Sequence, residues 1–329
     1  MKKLNAKHEL EQIKISHIVN LDKIHNKKSA TKLLEQVETF VAKNNEDRKL
    51  KKMLSNILDI HVYESFKLTT KYLKKCSEQD LIIKFWSNIF ESCFGYDKDW
   101  CIHWGDTLST QHKKMSGMNL RLDLRDLISK IGDNDDDDDN NNNNNNDNGG
   151  NDDDDAEQQE QEQEPLEAVT GEFGSYNAVT TTKLYKDKLK SVFASKVHLN
   201  HIIQQMKYLP VNHIQTIQIP IIQILGMSCY IYSVSIVDKK VYCVQDVCNF
   251  VYPRTLPELA DKGFEKMVSC IYKVKEMIDN IRDCQQNYSE SNDNDISRLY
   301  SEKKKKNKKY VNPNEFLSEL VSVEEEGQE

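Results

Sequence analysis

Two carboxylates stand out by their neighbours. Asp123 sits in Arg121-Leu122-Asp123-Leu124-Arg125, where Leu120, Leu122 and Leu124 alternate with Arg121, Asp123 and Arg125. Period-two alternation buries one face of a strand and presents the other, so this strand offers an acid between two guanidinium groups. Glu172 sits in Glu-Ala-Val-Thr-Gly-Glu-Phe-Gly-Ser over 167–175. That stretch reads as a short strand, 166–173, ending at a carboxylate held between Gly171 and Gly174. Carboxylates ending neighbouring strands suit a hard cation such as Mg²⁺ or Mn²⁺. Mg²⁺ takes octahedral oxygen ligands, often one or two carboxylates completed by water and substrate phosphate. Such an ion lowers the pKa of a bound water and neutralises charge on a phosphodiester. Arg121 and Arg125 would then clamp phosphate, and a lysine near the water would place or deprotonate it. The same residues also suit a purely structural network, with the arginines paired to Asp123, Asp126 or Glu172.

Other chemistry is thinner. His198 and His201 lie three apart on one helical face but lack a third ligand. His103, beside Trp104, reads as a strand residue, and the glycosylation pattern at Asn287 is discounted in an intracellular chain. The eight cysteines form no Cys-x-x-Cys pair, and Cys243 and Cys248 have no second pair or nearby His to complete a zinc set. They read as reduced, buried thiols of an intracellular protein. No G-x-S-x-G, P-loop or G-x-G-x-x-G occurs, which argues against serine hydrolases and nucleotide-binding folds.

The elements that must position the two acids follow from hydrophobic periodicity. Helical spacing begins at Ser29 (Leu33, Leu34, Val37, Phe40, Val41) and resumes with Leu50, Met53, Leu54, Ile57 and Leu58. A third helix is expected over 64–75. A fourth carries Leu81, Ile82, Phe85, Trp86, Ile89 and Phe90 behind an N-terminal signal at Ser77 and Asp80, and Gly95 stops it. Residues 100–108 read as a strand preceding the Asp123 strand. After Glu172, 180–206 reads as one long helix bearing Lys183, Lys186, Lys188 and Lys190, and Pro210 ends it. An apolar segment across Pro220, strands over 227–237 and 241–248, and a helix from Leu259 to Ile281 complete the pattern. The fold class is therefore α+β: a helical N-terminal region, then a small mixed sheet flanked by long helices.

Charge divides the chain. Between Asp133 and Glu164 there are 11 Asp and 4 Glu with no Lys or Arg, so this block carries −15 against −8 for all 329 residues. Its only apolar residue is Ala156, so it cannot repay the entropy of ordering and is expected to be a disordered loop between two strands. The run 303–309 holds six lysines, a pattern that serves nuclear import or nucleic-acid contact. Import receptor, other protein partners and nucleic acid are the partners implied, and the nucleus is favoured over the cytoplasm. No run approaches 18 apolar residues, so no membrane span is expected. The expected organisation is a flexible arm at 1–28 and a helical region at 29–75. An α+β core follows at 76–284, interrupted by a disordered loop at 132–164, then a disordered tail at 285–329.

The order helix, strand, acidic strand, strand ending in Glu, long helix and further strands resembles the core of the PD-(D/E)XK nuclease-like superfamily. That resemblance implies an Asp from the second strand of a meander, matched by Asp123. From the third strand it implies an acid, one residue, then Lys. Glu172 matches the acid, but the lysine position is Gly174. Some members relocate the lysine to the next helix, where Lys183 or Lys186 would serve, and a helical acid before the meander maps to Glu91. Over roughly 80–285 the chain is also similar to a large family of uncharacterised fungal proteins. The shared features are Trp104-Gly105-Asp106, the Arg121-x-Asp123-x-Arg125 strand, Gly171-Glu172-Phe173 and a Lys-rich helix. The implied function is a degenerate metal-dependent nuclease-like core acting on or binding nucleic acid. The alternative is a non-catalytic interaction module on the same fold.

Overall fold

The computed structural model describes residues 15–98, 100–109, 113, 117, 119–128, 166–177, 180–206, 209–288 and 312–318. Helical segments come first. α1 (Lys27–Thr39) is capped by Asn26, and α2 (Asn45–Tyr63) by Asn44, each accepting from a backbone amide of the first turn. Where one helix was expected over 64–75, the chain makes a 3₁₀ turn, Ser65–Leu68, and a short α3, Thr70–Leu73. α4 (Glu78–Leu81) starts with the reciprocal Ser77/Asp80 capping box. It continues through a π turn, Ile82–Trp86, into α5 (Ser87–Phe94), which ends at Gly95.

The sheet has six strands in sequence order: β1 (Trp100–Leu108), β2 (Arg121–Ile128), β3 (Leu166–Gly174), β4 (Gln218–Leu225), β5 (Ser228–Asp238) and β6 (Val241–Val251). Every neighbouring pair is antiparallel except β3 and β4. Parallel neighbours need a crossover. Here α6 (Thr181–Gln205) and the short α7 (Val211–Ile214) supply it. Pro220 lies in β4 one residue before pairing to β3 begins at Ile221, so its missing amide leaves no gap in that ladder. The β4–β5 hairpin turns through Gly226, whose φ of 60° suits glycine, and a Cβ there would sit 2.9 Å from the Tyr176 ring. α8 (Leu256–Ala260) and α9 (Gly263–Tyr288) complete the main body.

Side-chain parity sorts the two faces. Leu124, Phe173, Ile222 and Ile224 point to the face packed by α5 and α9. There Trp86 meets Phe250 at a tilt and Tyr252 edge-on, and donates Nε1 to the Gly226 carbonyl. Gly171 is required by this packing, since a Cβ would meet Leu124 Cβ at 2.8 Å. The opposite face, carrying Asp123, Thr170 and Glu172, is covered by α6 alone among the long helices.

Two expected boundaries are corrected. Residues 15–24, assigned to a flexible arm, bury Ile15, Ile18, Val19, Leu21 and Ile24, and His17 Nε2 lies 2.9 Å from Asp47 Oδ1. Their irregular spacing carries no helical period, yet it supplies a continuous apolar edge. Within the expected disordered tail, α9 runs on to Tyr288, and residues 312–318 lie against α6 with Pro313 and Phe316 buried. The acidic block 132–164 and the lysine run 303–309 lie outside the described residues. No described helix is long and apolar enough to cross a membrane.

Candidate active site

β2 and β3 pair Leu124 with Gly171 and Arg125 with Thr170. The next step of that antiparallel ladder sets Asp123 opposite Glu172 on one face. Asp123 Oδ2 accepts a hydrogen bond from the Phe173 amide, 2.9 Å. Glu172 is in turn opposite Gln223 of β4. Gln223 Nε2 donates to the Leu184 carbonyl at 3.2 Å, and Thr170 and Ser195 hydroxyls meet at 2.9 Å, so α6 is held across β3 and β4.

Thr180 caps α6 by accepting from the Lys183 amide, which fixes the helix phase. Lys183, Asp187 and Lys190 then fall on one flank at i, i+4 and i+7. Lys190 Nζ lies 2.6 Å from Glu172 Oε1. Lys183 instead pairs with Glu78, the first residue of α4. The result is a cluster of Asp123, Glu172, Asp187 and Glu78 threaded by two ammonium groups.

Burial dominates its electrostatics. Glu172 is 4% exposed, and burial raises its pKa to about 8; Asp123 and Asp187 add to the rise and Lys190 opposes it. Burial raises Asp123 as well, against the Phe173 amide and Lys190. Asp187 is raised by burial against the two lysines. Burial would lower Lys183, but its hydrogen bond to Glu78 outweighs that and raises it. A site whose acids resist ionisation is one that added positive charge would stabilise.

The residues expected from sequence separate into those that meet and those that do not. Asp123 and Glu172 meet. Of the lysines, Lys190 reaches Glu172, whereas Lys183 serves Glu78 and Lys186 lies exposed on α6. Glu91 does not join them. It accepts from Trp104 Nε1 at 2.6 Å, and Trp104 faces Leu124 and Phe173 on the other side of the sheet. The acid that the preceding helical segment does bring to this side is Glu78. Arg121 is exposed and pairs with Asp106 at 3.0 Å. Arg125 is buried and unavailable to phosphate: Nη1 meets Glu167 Oε1 at 3.0 Å, and Nε donates to Thr107 Oγ1 at 2.8 Å.

Glu167 anchors a separate buried network. Its Oε2 lies 3.0 Å from His198 Nε2, and its Oε1 accepts from Ser109 Oγ at 2.7 Å. Burial would raise its pKa, but His198, Ser109 and Arg125 outweigh that and hold it at about 2. Ser109, His198 and Glu167 do not compose a hydrolase triad. The ring nitrogen 3.5 Å from Ser109 Oγ is the same Nε2 that faces Glu167, and all three residues are buried.

Among the described residues no group of three or more His, Cys, Asp or Glu is arranged to hold a metal ion. Asp123 and Glu172 remain a two-carboxylate pair, the donor set that Mg²⁺ completes with water. All eight cysteines are free. No family model, curated protein or solved structure matches the chain.

Proposed function

We propose that the chain acts on nucleic acid through Asp123, Glu172 and Lys190, as a phosphodiester hydrolase with a nuclease-like core that uses Mg²⁺ or Mn²⁺. The observation that carries this reading is Lys190 on Glu172, beside Asp123 on the adjacent strand. An acid pair joined by a lysine from the following helix is what the nuclease-like resemblance implies when the strand lysine is replaced, as it is here by Gly174. The element order α5, β1, β2, β3, α6, β4 also follows that resemblance.

Asp123 and Glu172 would hold the cation, which supplies an acidified water and screens the phosphodiester charge. The residues of the chain do the rest. Lys190 orients the attacking water and balances charge on the non-bridging oxygens, and the Phe173 amide holds Asp123 in place. Lys183, fixed by Glu78, keeps a second cation at the mouth of the site. Cleavage of a fluorescent oligonucleotide in Mn²⁺ tests the assignment. Lys190→Met should lower the rate by about 10²–10⁴-fold, the usual worth of a positioned proton-transfer group. Lys186→Met should leave it unchanged. Equal losses in both variants, or none in either, would remove Lys190 from the mechanism.

One observation favours a second reading, a non-catalytic interaction module. Glu172 is closed under α6 with Lys190 already upon it. An inert wild type in the cleavage assay, with no response to metal, selects that reading. The lysine run 303–309 supports action in the nucleus, with an import receptor as partner.

A further inference from the structure

Residues 312–318, Asn-Pro-Asn-Glu-Phe-Leu-Ser, are separated by 289–311 from the end of α9, yet they lie on α6 and the β5–β6 turn. Asn312 Oδ1 accepts from the Asn314 amide and caps the 3₁₀ turn Pro313–Phe316. Pro313 and Phe316 are buried, and Phe316 joins the main core. The Phe316 carbonyl accepts from the Lys240 amide at 2.9 Å, in a turn where Lys240 adopts a left-handed φ of 60°. Lys239 Nζ meets Glu315 Oε2 at 2.5 Å and stands 5.9 Å from the Phe316 ring centre.

The other end is held by side chains of the sheet and helix. Asn200 of α6, 2% exposed, donates Nδ2 to the Ser318 carbonyl at 3.2 Å. Its Oδ1 accepts from the Tyr242 hydroxyl, 2.5 Å, and that hydroxyl accepts from the Ser318 amide, 3.1 Å. The surface therefore offers two apolar seats, a cation for an acid and three polar groups that read a backbone. These are the components of a linear-peptide site, in which main-chain bonds give affinity and pockets give specificity.

We propose that this face is a docking groove for a short peptide of the form Pro-x-Glu-Phe-x-Ser, and that the chain fills it with its own residues 313–318 as an exchangeable ligand. A tethered ligand works at an effective concentration on the order of millimolar. A segment of micromolar intrinsic affinity is then docked almost all the time and still exchanges. Phe316 and Pro313 fill the seats, Glu315 answers Lys239, and the Ser318 backbone answers Asn200 and Tyr242. This assignment is independent of the chemistry at Glu172.

The test uses the full chain and the labelled peptide Asn-Pro-Asn-Glu-Phe-Leu-Ser, followed by fluorescence anisotropy and by amide exchange at Lys240. Phe316→Ala empties the groove, so it should bind the peptide at least tenfold more tightly than wild type, whose groove is already filled. The Lys240 amide should lose protection in Phe316→Ala and regain it with peptide. Glu315→Lys acts at an exposed position and loosens docking without altering the core. It should likewise open the groove to the wild-type peptide, and adding Lys239→Glu should close it to that peptide again. Equal peptide binding by wild type and both single variants, or unchanged Lys240 protection in both, would overturn the proposal.

Discussion

Replacing Glu172 by Gln should stabilise the fold increasingly as pH rises above about 5. The folded-state pKa of Glu172 is about 8, against an ordinary value of 4.5, and burial is the main cause. The folded state therefore holds the proton more tightly than the unfolded chain. Its contribution to stability is complete below pH 4.5 and is lost as pH rises to 8. Each pH unit between the two values is worth about 1.4 kcal/mol. The loss is then about 3 kcal/mol at pH 7 and about 4 kcal/mol at pH 8. Gln cannot ionise, so Glu172→Gln escapes it and gives up only the contact with a half-exposed Lys190, worth about 1 kcal/mol or less. Urea unfolding at pH steps from 5 to 9 in chelator should show curves that nearly coincide at pH 5 and diverge by several kcal/mol at pH 8. Parallel curves, or a variant weaker than wild type at pH 8, would refute the claim that burial governs this carboxylate.

Three further outcomes follow from other parts of the molecule. Glu167, with a pKa of about 2 when folded, contributes about 3 kcal/mol above pH 4.5 that is lost as pH falls through 2. Glu167→Gln leaves Arg125 buried without its counter-ion and should cost about 3–5 kcal/mol in urea unfolding at pH 7. Ile128 and Leu166 pair across the hairpin that the acidic block connects. Exchanging 133–164 for a short Gly/Ser link should therefore leave the melting temperature nearly unchanged, since closure entropy varies only logarithmically with loop length; a large drop would give the block a structural role. A fluorescent fusion should lose nuclear enrichment when 303–309 are deleted, and an intact fusion that stays cytoplasmic would end the import reading.

The sequence carried the strands better than the partnerships. Alternation at Leu120, Leu122 and Leu124 identified β2, and Gly-Glu-Phe-Gly identified the end of β3, because both signals are local. Arg125 faces Glu167 because β3 carries one extra residue. The ladder pairs Asp126 with Val169 and Leu127 with Glu167, leaving Ala168 unopposed. Such a bulge reverses side-chain parity beyond it and turns Glu167 toward Arg125. Simple alternation from Glu172 points Glu167 the other way. Lys190 was visible only as one of several helical lysines. Its role depends on where α6 crosses β3, which tertiary packing sets; the local signal that could have found it is the i, i+4, i+7 spacing of Lys183, Asp187 and Lys190. Glu78 and Glu91 were separated in the same way, since only the packed sheet decides which acid reaches which face. In 15–24 and 312–318, buried residues without a period gave periodicity nothing to detect.

The measurement closest to the central claim is metal-dependent thermal stability of wild type, Asp123→Asn and Glu172→Gln at pH 7.5. If the two carboxylates share a divalent cation, millimolar Mn²⁺ should raise the wild-type melting temperature in a dose-dependent way, as binding to the folded state alone requires. Both variants should lose that rise while remaining folded without metal. A wild type indifferent to Mn²⁺, or variants that respond as fully as wild type, would contradict the account of Asp123 and Glu172 as a metal-dependent site.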